Sequence, residues 1–198
     1  MTEIVKIEKL KPLEKVFPNH LKNLSEMIFR SKIIQTPIIA DEKTGIVLDG
    51  SHRYVFFLQN GYIEAPVQFV DYNNENIRVG SMLIHRLLVD NENLISKSEV
   101  INRGLSGNIF PPRTTRHFFP FRKNEYINIP LENLKKGKQV DVSELIDDVD
   151  LQYEIEHNKN FIKEIEYELD EIIRYMEEVR QTKMYLLKQI ELMENSNI

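Results

Sequence analysis

Apolar and charged positions alternate over Ile4–Ile7, which predicts a short strand ending at Lys11-Pro12. Beyond a loop at Leu13-Glu14, Leu21, Leu24, Met27 and Ile28 recur at the helical interval and predict a helix over Pro18–Lys32. Two apolar runs follow, Pro37–Ala40 and Ile46–Leu48, separated by the turn cluster Asp41–Gly45, and they predict a hairpin of two buried strands. Asp49-Gly50 closes the hairpin. A second helix starts at Ser51 or His52 and runs through Tyr54, Val55, Phe57 and Leu58 to Asn60-Gly61, where the glycine is the expected stop. Ala65–Val70 reads as a third buried strand, whereas Ile77–Val89 is apolar without deciding between strand and helix. Lys97–Leu105 predicts a helix with Ser96 or Ser98 as cap and Gly107 as stop. Phe110–Phe121 is dense in Pro, Thr, Arg and aromatics and predicts a shaped loop. Tyr126–Ile129 reads as a strand before a short turn at Leu131–Leu134.

A different period sets in at Leu151. With Ile162, Leu169, Met176, Lys183 and Ile190 at heptad position a, Ile165, Ile172, Val179, Leu186 and Met193 fall at d. Nine of these ten are apolar, and no Gly or Pro interrupts the segment. A coiled-coil or helix-pair contact between chains fits this pattern, as does one long amphipathic helix laid on the body. Lys183 in the seam would set register at a cost in stability.

The composition, 41% hydrophobic and 29% charged over 198 residues, is that of a folded domain with an extension. The absence of cysteine excludes disulfides, thiolate metal sites and thiol nucleophiles. No stretch is apolar and long enough for a membrane helix, and MTEIVKIEKLKP lacks the apolar core of a secretory signal, so the expected compartment is the cytoplasm. The net charge of −5 is unevenly spread. Residues 139–198 carry 6 Lys/Arg against 16 Asp/Glu, leaving 20 against 15 for residues 1–138. The expected organisation is therefore a body, 1–138, and an acidic helical tail, 139–198. A mildly basic body suits an anionic small ligand. Without a cluster of Lys/Arg interleaved with aromatics, nucleic acid is the less favoured partner.

Two clusters carry candidate chemistry. Asp49-Gly50-Ser51-His52-Arg53 spans a strand-to-helix junction, where free N–H groups and the helix dipole bind anions such as phosphate. Gly50 admits a close approach, His52 and Arg53 add donors, and Asp49 could hold a hydrated Mg²⁺ beside the phosphates. A plain helix cap with a solvated face would use the same residues. Phe110-Pro111-Pro112 leads into Thr114, Thr115, Arg116 and His117, two hydroxyls, a guanidinium and an imidazole suited to carboxylate or phosphate. A rigid surface loop anchored by Phe118, Phe119 and Phe121 would also fit. Glu14 alone reads as a loop carboxylate.

Taken together, Leu10–Glu14, Pro37–Ala40, Val47–Arg53 and Phe110–His117 resemble the free serine kinases of the ParB/sulfiredoxin-like fold, in the same order over roughly residues 4–134. The Asp-Gly-x-His-Arg segment is shared with ParB-type proteins and sulfiredoxins, whereas Pro-x-Thr-Thr-Arg-His is more specific to the kinases. The resemblance implies a mixed α/β (α+β) nucleotide-binding domain followed by a long, coiled-coil-like C-terminal helix. It implies phosphorylation of free L-serine to O-phospho-L-serine with ATP or ADP and Mg²⁺. By position, Glu14 matches the catalytic base and Asp49 the carboxylate near the metal. Gly50, Ser51, His52, Arg53, Thr114 and Arg116 match the nucleotide and phosphate contacts. Thr115, Arg116 and His117 match the substrate contacts. Ser51 departs from the second His common in the kinases, and the stretch from Val70 to Phe110 is short where archaeal members carry an insertion.

Three other readings share the fold. Sulfiredoxin chemistry needs a Cys before His-Arg, and Ser51 stands there. A ParB-like DNA-binding protein would want a helix-turn-helix, against an acidic heptad tail. A non-catalytic nucleotide-binding module differs from a kinase only in turnover. The expected homo-oligomer would form through the tail.

Overall fold

The structure, a computed structural model of the chain, describes residues 1–81, 95–121 and 126–195. The elements in chain order are β1 (Thr2–Lys6), α1 (Pro18–Ser31), β2 (Ile33–Ile34), β3 (Ile38–Asp41), β4 (Val47–Asp49) and α2 (Ser51–Gln59). They continue with β5 (Glu64–Val70), β6 (Arg78–Ser81), α3 (Lys97–Ser106), β7 (Thr115–Phe118), β8 (Ile129–Pro130) and α4 (Leu151–Asn195).

The main sheet has the order β1-β5-β3-β4. β5 runs antiparallel to β1 and parallel to β3, and β3 runs antiparallel to β4 with Ile39 opposite Asp49. All four residues of β3 are buried: Ile38, Ile39 and Ala40 form an apolar run without alternation, and the Asp41 carboxylate accepts the Thr44 and Tyr72 N–H groups. Its side chains feed two cores. Ile38 and Ala40 pack with Val67, Tyr54, Phe56 and Phe57, under α1 and α2. Ile39 packs with Leu13, Ile46, Leu48, Val100 and Phe110 on the other side. Glu14 sits between Leu13 of the second core and Val16 of the first.

The predicted hairpin and the first three helices form close to their expected bounds. Ser96 is the cap of α3, accepting from the Glu99 N–H at 3.1 Å, and Gly107 ends that helix at φ 76°. The first strand is Thr2–Lys6, with Ile7–Lys9 forming a 3₁₀ turn after it. Within Ile77–Val89, Arg78–Ser81 is a strand and 82–89 lies outside the described residues. The expected loop Phe110–Phe121 needs correction, because it contains β7, paired antiparallel with β6 so that Arg116 lies opposite Gly80. A strand whose partner is remote in sequence and whose residues are polar carries no local alternation signal. The strand expected at Tyr126–Ile129 forms at Ile129–Pro130 against β2.

By compactness the chain divides at Ile155, into units 1–155 and 156–198. This is later than the change in charge at residue 138. Residues 139–150 join the first unit: Val142 is buried, and Val16 donates to the Leu145 carbonyl at 2.9 Å and accepts from the Asp147 N–H at 3.0 Å. The Asp150 carboxylate then caps α4 by accepting the Tyr153 N–H at 2.7 Å. The second unit continues α4, a 45-residue helix about 68 Å long at 1.5 Å per residue. Its nine apolar heptad residues, Ile162 to Met193, are between 37% and 64% exposed. Among the described residues no helix is long and apolar enough to cross a membrane.

Candidate active site

The junction at residue 50 forms an anion-ready helix start. Gly50 precedes α2 in the left-handed region, φ 96°, and as a glycine brings no side chain of its own to cap the first turn. A Cβ on Gly50 would lie 2.7 Å from Arg53 Nη2, so both the backbone and the guanidinium exclude a side chain. The first turn's N–H groups have no intrahelical acceptor. Arg53 donates through Nη2 to Asp49 Oδ2 at 3.1 Å and to the Pro37 carbonyl at 3.0 Å. Its Nε is buried and lacks a hydrogen-bond partner among the described residues.

His52 Nε2 accepts the Phe17 N–H at 3.1 Å, which leaves its proton on Nδ1. Burial, then the nearby His20, Arg113 and Arg53, lower its pKa to about 3. His52 therefore offers a neutral N–H and not a cation. The His20 ring lies against it, tilted by 39°, with 4.2 Å between centroids. Arg113 Nη2 donates to His20 Nδ1 at 3.3 Å, and the Glu154 carboxylate at the start of α4 accepts the N–H groups of Asn19 and His20 at 3.2 and 2.9 Å. Sequence reasoning does not single out His20, Arg113 or Glu154. A histidine three residues into a helix carries no mark, and Arg113 gains its left-handed φ of 55° only in the folded loop.

Glu14 is held by β7. Backbone bonds tie its segment to Phe110, with Lys15 N–H donating to the Phe110 carbonyl and Phe110 N–H to the Leu13 carbonyl, each at 2.8 Å. Its Oε1 accepts the Thr115 hydroxyl at 2.7 Å and the Thr115 N–H. Burial pushes the Glu14 pKa up to about 7. The Thr115 and Arg113 contacts pull the other way, and the charge of Asp49 adds to the rise. Glu14 is thus close enough to Asp49 to feel its field while Thr115 bonds to it.

The Phe110–His117 segment divides by strand alternation. Thr115 turns to Glu14. His117 is buried, its Nε2 2.9 Å from the Tyr72 hydroxyl and its ring stacked on Phe119. Arg116 lies over the Phe118 ring at 5.1 Å, on the opposite side of β7. Thr114 closes the loop on itself by donating to the Pro111 carbonyl at 2.9 Å. Around Glu14, then, the structure gathers Thr115, Asp49, Arg113 and, through Arg113, the His20–His52 pair.

Among the described residues no three His, Asp or Glu groups gather into a metal cage. Mg²⁺ is commonly held by one or two carboxylates together with substrate phosphates. Asp49, beside the helix start and within the field of Glu14, fits that role, with one oxygen already paired to Arg53.

No family model matches the chain. It is 34% identical over 80 residues to an ATP-dependent L-serine kinase of Staphylothermus marinus, covering 38% of this chain and 32% of that protein. It is 35% identical over 77 residues to a ParB-like protein of Sulfolobus acidocaldarius, covering 39% and 38%. The match thus spans about a third of these relatives' own length. A solved structure of a free serine kinase in complex with AMP superposes with a TM-score of 0.58 at 17% identity, over 68% of this chain and 93% of that one. These likenesses establish the fold: a mixed α/β body of the kind shared by free serine kinases, followed here by a long helix.

Proposed function

We propose that the protein is a free L-serine kinase that transfers the terminal phosphoryl group of ATP or ADP to the serine hydroxyl. The observation that carries this reading is Glu14, a carboxylate whose pKa of about 7 suits a general base, near an anion-binding helix start. The likeness to an ATP-dependent L-serine kinase supports the same substrate pair.

Phosphoryl transfer depends on positioning and charge neutralisation. The N–H groups at the start of α2, with Gly50, Ser51, the His52 Nδ1–H and the Arg53 guanidinium, bind the nucleotide phosphates. Asp49 would hold Mg²⁺ together with the phosphates, and the ion would supply charge neutralisation there. Glu14 accepts the proton of the serine hydroxyl as that oxygen forms its bond to phosphorus and the bond to the departing nucleotide breaks. The Thr115 hydroxyl fixes the carboxylate, and Arg113 adds positive charge at the loop. Thr114, through the Pro111 carbonyl, and His117, through the Tyr72 hydroxyl, hold in place the segment that carries Thr115. The protein works in the cytoplasm in amino-acid metabolism, and the tail makes it a homo-oligomer.

Incubation of purified protein with L-serine, Mg²⁺ and either ATP or ADP should yield O-phosphoserine, read by mass spectrometry. Nucleotide binding without product from either donor would favour a non-catalytic nucleotide-binding module, the reading that the likeness to a ParB-like protein supports.

A further inference from the structure

The helix α4 presents a charged, apolar face whose pattern selects one orientation of a partner. This inference rests on the proposed self-association and specifies its geometry. We infer that α4 pairs with α4 of a second copy in antiparallel orientation, in the register that sets Ile162 against Met193.

That register follows from the heptads. It pairs every a residue with a d residue: Ile162 with Met193, Ile165 with Ile190, Leu169 with Leu186, Ile172 with Lys183, and Met176 with Val179. Each pair occurs twice about a two-fold axis between Glu177 and Glu178, as an isologous dimer requires. The nine apolar members are exposed in the isolated chain. Ile173 and Leu187, at 55% and 50% exposed, flank the seam and widen the strip. A contiguous apolar strip of this kind marks an interaction surface.

Charge decides the orientation. Residues 162–177 carry two Lys/Arg against six Asp/Glu, whereas residues 178–193 carry three against two. A parallel pair would lay the acidic half on itself and set Lys183 against Lys183 within the seam. Like charges facing each other at that distance destabilise the pair. The antiparallel pair lays the acidic half on the basic one. It places Lys183 opposite Ile172, level with the turn carrying Asp170 and Glu171 of the second copy. At the ends it brings Lys159 near Glu194. Beside the axis, the outward Glu177 is already paired with Arg180 of its own helix at 3.8 Å.

The chain has no cysteine, so engineered thiols report cleanly. Light scattering gives the mass of the unmodified full-length protein, and the variants I162C, M193C and I162C/M193C are oxidised and run on denaturing gels. Ile162 and Met193 are exposed on the helix, so these substitutions leave the body intact, and circular dichroism checks the helix. In the antiparallel dimer the two Ile162 positions are about 47 Å apart along the axis. The expected result is a dimer in which I162C/M193C becomes mostly covalent while each single variant stays uncrosslinked. A dimer in which I162C crosslinks to itself overturns the orientation and leaves self-association standing. A dimer in which no variant crosslinks overturns the register and moves the contact elsewhere. A monomer overturns both this inference and the self-association it rests on, without touching the serine kinase reading.

Discussion

Replacing Glu14 by Gln should make the protein more stable at high pH while removing most of its turnover. Burial holds the carboxyl at a pKa of about 7, against an ordinary value of 4.5. At about 1.4 kcal/mol per unit, ionising Glu14 in the folded protein costs about 3 kcal/mol more than in the unfolded chain. The folded state therefore binds more protons than the unfolded state between these two values. The stability contributed by the raised pKa is complete below about pH 4.5, falls as pH rises, and is lost above about pH 7. A glutamine at this position has no proton to lose, and its amide oxygen can still accept from the Thr115 N–H and hydroxyl. Urea unfolding of both proteins from pH 4 to pH 8 should show their stability difference growing by up to about 3 kcal/mol in favour of E14Q. In a thermal melt this corresponds to roughly 6–12 °C. The same substitution should lower kcat by about 10²–10⁴ with nucleotide affinity kept, and wild-type kcat/KM should rise with pH to a plateau above about pH 7. A stability difference that stays flat across this range would mean that Glu14 titrates like an exposed carboxylate, and its role as the base would fall with it.

Thr115→Val removes a hydroxyl that favours the ionised carboxylate, so the acid limb of the kcat/KM profile should move up by about one pH unit; an unmoved limb would separate Thr115 from the base. His52 should stay neutral from pH 5 to pH 8, and an NMR titration of its ring with a midpoint near 6.5 would contradict the burial and hydrogen bond that depress it. Gly50→Ala must adopt a left-handed backbone beside the Arg53 guanidinium, so it should cost about 1–2 kcal/mol and weaken nucleotide binding; calorimetric titration with unchanged affinity would refute the tight approach. Glu154→Ala strips the acceptor from the start of α1 and should cost about 1–2 kcal/mol in denaturant unfolding, a loss that an exposed carboxylate would not produce.

Much of the local structure is legible in the residues. The period of Leu21, Leu24, Met27 and Ile28 announces α1, the turn cluster at Asp41–Gly45 announces the hairpin, and Ser96 and Gly107 mark the ends of α3. The Asp49–Arg53 helix start is legible for the same reason, since capping and turn chemistry are written within a few residues. β7 is hidden, because Thr-Arg-His-Phe becomes a strand only when Arg78–Ser81 pairs with it.

Amphipathic period and turn residues act through the backbone of neighbouring positions, and so a single chain read in order already assigns helices, strands and a glycine-led helix start. Pairings between distant residues obey no such period. Glu14 is fixed by Thr115, 101 residues away, and Glu154 reaches His20 across 134. Desolvation in the folded body, not composition, raises the Glu14 pKa to about 7, and that environment exists only once the whole body has packed.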